Sequence, residues 1–79
     1  MSYDIVEQVL AEAPALNGSF KQIAWAKDIR RQYLAYLAEQ AQLVGLHPEG
    51  LRLALTRIVA AEVEARRWIE SRRGLQSGG

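Results

Sequence analysis

In this chain the side chains best suited to act on another molecule are its cations. Lys21, Lys27, Arg30 and Arg31 fall in one short stretch, and Arg66, Arg67, Arg72 and Arg73 fall in a second. Together they make up eight of the ten Lys and Arg residues. Ammonium and guanidinium groups form charge-assisted hydrogen bonds to carboxylates and phosphates. Set against Asp28, Glu62, Glu64 and Glu70, the eight leave a surplus of +4. Arg52 and Arg57 against Asp4, Glu7, Glu12, Glu39 and Glu49 leave −3. The formal net charge of +1 therefore hides a dipolar chain. Seven of these cations are the candidate partner-binding set: Lys21, Lys27, Arg30, Arg31, Arg66, Arg67 and Arg72. Either an acidic protein surface or nucleic acid could meet them. Binding to nucleic acid would weaken steeply with salt.

Catalysis finds little to work with. It needs a base and a nucleophile held together in a pocket. The chain has one histidine, no cysteine, and serines only at 2, 19, 71 and 77. Ser2 and Ser19 read as helix caps. His47 precedes Pro48 and reads as a turn residue or cap. Glu62 and Glu64 stand two apart, so on a helix they diverge. One histidine without cysteine cannot make a zinc site unless several carboxylates converge on it. The sequence therefore predicts a non-enzyme with no cofactor and no metal.

At 79 residues the chain is long enough for one modest core. The expected domain is 1–75, with 76–79 a disordered tail. The absence of cysteine fits a reducing cytoplasm. No apolar run reaches the roughly 20 residues that span a bilayer. Met1-Ser2-Tyr3-Asp4 does not open a signal peptide. The expectation is a cytoplasmic protein with no membrane association.

The elements that must carry the cations follow from the breakers. Proline occurs only at 14 and 48, and Gly18, Gly45, Gly50 and Gly74 punctuate the rest. They predict an all-α three-helix bundle with helices at about 3–13, 20–44 and 48–73. Ser19 with Gln22 is a capping box at the start of the second helix, and Gly45 suits its end. Ile5, Val6, Val9, Leu10 and Ala13 form one stripe on the first helix. On the second, Ile23, Ala26, Tyr33, Leu37, Ala41 and Val44 form a main stripe. Trp25, Ile29, Tyr36 and Leu43 form a flanking one, which calls for another neighbour, a second copy of the chain included. On the third, Leu51, Ala54, Leu55, Ile58, Ala61, Ala65, Trp68 and Ile69 share a face, with Glu62–Arg66 and Arg66–Glu70 paired opposite. A link of only a few residues makes the second and third helices an antiparallel hairpin. Trp25 and Trp68 then lie level at its open end, as a core clamp ringed by the cations. Such a hairpin is unlike a helix-turn-helix, whose helices are shorter and meet steeply.

The stretch Gly18-Ser19-Phe20-Lys21-Gln22-Ile23-Ala24-Trp25-Ala26-Lys27-Asp28-Ile29-Arg30 resembles a motif of the form G-S-x-K-Q-I-x-W-A-x-x-I-R. That motif occurs in small uncharacterised proteins of bacteria, phages and mobile elements. Their second motif reads roughly W-W-I-D-x-R. Here the matching residues are Arg67-Trp68-Ile69-Glu70-Ser71-Arg72, with arginine for one tryptophan and glutamate for aspartate. The resemblance covers about twenty of the 79 residues. It implies that the two motifs belong together and that the chain has a phage or mobile-element origin. By analogy with small phage proteins that occlude host machinery, it implies a stoichiometric inhibitor of a host protein complex, of the anti-CRISPR kind. The alternatives are a nucleic-acid-binding accessory protein and a structural oligomerisation module.

Overall fold

The computed structural model describes residues 2–70. Arg72, Arg73, the breaker Gly74 and the 76–79 tail lie outside the described residues. The described chain is mostly helical: α1 is Ser2–Glu12, α2 is Phe20–Leu43 and α3 is Pro48–Ala61. Residues 65–70 are helical again and are called α4 here. No strand occurs among the described residues; an isolated bridge pairs Asn17 with Glu64.

The start of α2 follows the capping logic in full. The Ser19 side chain accepts from the Gln22 amide at 3.2 Å, and Gln22 Oε1 accepts from the Ser19 amide at 3.1 Å. Two otherwise orphaned amides are thereby satisfied. Ser19→Ala is expected to cost about 1 kcal/mol. Chemical denaturation should show it as a lower midpoint at unchanged slope; an unchanged midpoint would mean that tertiary packing alone holds this end.

α2 ends in a Schellman turn. The Gly45 amide donates to the Gln42 carbonyl at 3.1 Å and the Leu46 amide to the Ala41 carbonyl at 2.9 Å. Gly45 takes φ +74°, the left-handed conformation this turn requires. Pro48 then opens α3 and His47 caps it, its Nδ1 accepting from the Glu49 amide at 3.1 Å. At the other end of the chain α1 already includes Ser2, so that residue is part of the helix rather than its cap.

The helix expected over 48–73 is interrupted. α3 ends at Ala61, and Glu62 is extended at φ −131°, ψ 107°. No glycine or proline sits there; the cause is tertiary. The Asn17 amide donates to the Val63 carbonyl at 2.7 Å, and the Ala65 amide donates to the Asn17 carbonyl at 2.8 Å. Residues 62–64 give up helical bonds and gain equivalent ones to the α1–α2 connection. The Glu62–Arg66 pair expected along one helix is not formed, and the Glu62 carboxylate instead accepts from the Glu64 amide.

Two apolar clusters hold the molecule together. Val6 and Val9 of α1 meet Leu34, Ala38 and Ala41 of α2 and Leu51, Leu55 and Val59 of α3. Leu16, Ala26, Ile29, Ala65 and Trp68 form the second. Tyr33 and Ile58 pack against both. α1, too short to be stable alone, is fixed by burying one face against both longer helices. The buried row of α2 is Ala26, Arg30, Leu34 and Ala38, spaced four apart. The main stripe expected there is displaced by one position over part of its length, and Val44 is exposed.

Candidate binding site

The tryptophans part company. Trp68 is 5% exposed and sits in the second cluster, edge-on to Tyr33 at 6.0 Å between ring centroids. Its Nε1 donates to the Glu62 carbonyl at 3.0 Å, which ties α4 to the end of α3. Trp25 is 49% exposed and outside both clusters. Its expected role as the second half of a core clamp is therefore corrected. On a helix, Trp25, Tyr36 and Leu43 fall along one row, because eleven and seven residues bring the chain back to nearly the same angle. All three are exposed, whereas Ile29 beside them is buried. The flanking stripe thus exists as a surface row that the described residues leave uncovered. Lys21 stands one turn before Trp25 and is exposed.

The basic residues divide into two groups. Lys27, Arg30 and Arg31 line one cleft between α1 and α2, of about 360 Å³. α1 supplies Glu7, Leu10 and Ala11 to it; α2 adds Ala24 and Asp28. Arg66 and Arg67 are exposed on α4. That segment packs through Ala65 and Trp68 on the Ala26–Ile29 side of α2, away from the row that faces the cleft. Among the described residues the cations do not form a continuous ring.

Within the cleft each cation has a different environment. Arg31 Nη1 pairs with Glu7 Oε1 and closes one wall. This ion pair joins α1 to α2 across largely exposed side chains, where such a contact contributes little stability. Lys27 is exposed at the rim. Arg30 is only 5% exposed, and its Nε and Nη1 are buried without a hydrogen-bond partner among the described residues. Burial pushes the Arg30 pKa down from its ordinary value; a guanidinium starts so high that it stays charged at neutral pH. Arg30, expected in the ring of cations around the tryptophans, is thus buried instead, and the cause is its position in the four-residue row between Ala26 and Leu34.

Sequence reasoning missed the α1 wall of the cleft and the exposed apolar residues Phe20, Leu46 and Leu53. The wall could not be read without the packing of α1. Leu53 could have been, since it falls off the Leu51–Leu55 face. Among the described residues no group of His, Asp and Glu is placed to hold a metal ion. No helix among them is long and apolar enough to cross a membrane. Compared with known protein families, curated proteins and solved structures, the chain shows no significant match to any.

Proposed function

We propose that this chain is a small non-catalytic helical binding protein that associates stoichiometrically with a larger host protein complex. In this reading α2 and α3 form an antiparallel hairpin that stiffens the exposed face. The single observation that carries the reading is the Trp25–Tyr36–Leu43 row, exposed along α2 with Lys21 beside it. The row runs about 27 Å. Tryptophan, tyrosine and arginine supply most of the binding energy at protein interfaces, and a soluble domain gains nothing by leaving such a row in water. Phage or mobile-element origin, and action as an inhibitor of host defence of the anti-CRISPR kind, rest on the motif resemblance at residues 18–30 and 67–72.

The test is affinity capture from nuclease-treated bacterial lysate, followed by reconstitution with the purified partner. A protein that binds at fixed stoichiometry is the expected result. Trp25→Ala/Tyr36→Ala should weaken it at least tenfold while the circular dichroism spectrum stays unchanged, because both side chains are exposed. Binding to bare duplex with a steep salt slope, in place of a protein, would favour the nucleic-acid reading. Self-association that disappears in the double variant would make the chain an oligomerisation module.

A further inference from the structure

We infer that the outer face of α3 is a self-docking surface, on which a second copy of this chain packs antiparallel about a two-fold axis through Leu53. This face is distinct from the α2 row that carries the binding role above. Leu51, Leu55 and Val59 turn one side of α3 into the core. Leu53 falls on the opposite side and is 60% exposed. Leu46 extends the same face at the helix start. A Cβ on Gly50 would lie 3.6 Å from Leu46 Cδ1, so Leu46 rests over that turn of α3, and it is 49% exposed. Ala60 continues the face toward the other end and is exposed as well.

The charge on this face selects the occupant. Glu49 stands four residues before Leu53 and Arg57 four residues after it, each about 6 Å along the axis. Both are exposed, and neither has an ion-pair partner among the described residues. Each lies about 40° from Leu53 around the helix, so the two border the apolar line. Arg52 lies about 100° away and off this face. Turned end for end about Leu53, a second copy sets its Arg57 level with Glu49 and its Glu49 level with Arg57, while the two leucines meet on the axis. Leu46 and Ala60, seven residues either side of Leu53, come level in the same way, a large side chain against a small one. Such a contact is isologous and closes at two copies. A uniformly acidic or uniformly basic partner would be repelled by one of the two charges. The dimer presents two α2 rows, so a partner with two matching sites would be held more firmly than by one chain.

Sedimentation equilibrium of the full chain, from micromolar to millimolar concentration, tests this. Wild type should move from the monomer mass toward twice that mass, with weaker association at high salt. Leu53→Glu places two like charges on the axis and should weaken association at least tenfold. Its helix content and melting temperature at low concentration should match wild type, because Leu53 is exposed. Glu49→Arg and Arg57→Glu should each weaken self-association, since two like-charge pairs replace two opposite ones. An equimolar mixture of these two variants should recover it, because the mixed dimer sets opposite charges against each other at both pairs. Wild type that stays at the monomer mass up to millimolar concentration overturns the dimer. Association that survives Leu53→Glu unchanged overturns the face, and so does association lost only in Trp25→Ala/Tyr36→Ala. A mixture no more associated than its components overturns the antiparallel register. No host protein enters these measurements, so a failed lysate capture leaves the dimer standing, and a monomeric wild type leaves the binding role standing.

Discussion

Trp68→Ala is expected to leave most of the protein unfolded at 25 °C. Trp68 is buried with Leu16, Ala26, Ile29 and Ala65, in contact with the Tyr33 ring. Truncating a buried tryptophan to alanine costs about 3–5 kcal/mol in lost burial and cavity formation. A domain of this size has a total stability of only a few kcal/mol. The loss is aggravated by position, because the indole is the largest of the side chains that hold α4 in the second cluster and its Nε1 also ties α4 to the Glu62 carbonyl. Far-ultraviolet circular dichroism should show reduced helix, and the cooperative melt should be lost or move far down. Trp68→Phe separates the two roles of the side chain. It keeps a ring in the cluster and removes the donor to the Glu62 carbonyl, for a cost of about 1 kcal/mol. A Trp68→Ala variant that melts within a few degrees of wild type would mean that the second cluster is dispensable.

Arg30→Met should act in the opposite direction and stabilise the free protein by about 1–4 kcal/mol. A buried guanidinium with two unbonded nitrogens carries its desolvation cost without the compensating acceptor. Methionine has a comparable unbranched stem and continues the apolar row from Ala26 to Leu34. Each kcal/mol gained should raise the melting temperature by roughly 4–8 °C in a domain of this length. If Arg30→Met destabilises the free protein, the guanidinium is satisfied within the fold and its place in the cleft is structural.

The parts of the fold that local chemistry dictates could be read directly. Ser19 and Gln22 make both bonds of the capping box. Gly45 takes the left-handed turn, and His47 with Pro48 opens the next helix. The apolar stripe of α1 is buried or partly buried as its spacing requires. The interruption at 62–64 was not legible, because Ala60, Ala61 and Glu62 all favour a helix. It arises from backbone pairing to Asn17, a partner remote in sequence. The candidate site was legible in its residue types but not in its geometry. Lys27, Arg30 and Arg31 do share one cleft, while Arg66 and Arg67 stand elsewhere. Arg30 could have been separated from the others, since Ala26, Arg30, Leu34 and Ala38 form a four-residue row that a solvated cation would interrupt. Trp25 was drawn into the core because aromatic residues usually go there, yet its row lies at the edge of the buried arc.

The pairing of Asn17 with Glu64 also closes a long loop of the chain. All of α2 and α3 lies between its two ends. Closing so long a loop in an unfolded chain is entropically unfavourable. The packed helices hold the two ends side by side and so offset that cost. Two backbone hydrogen bonds and one indole then fasten it. Arg66 and Arg67 ride on the segment it fastens, so their spacing from the rest of the surface is set by this joint between Asn17 and residues 63–65.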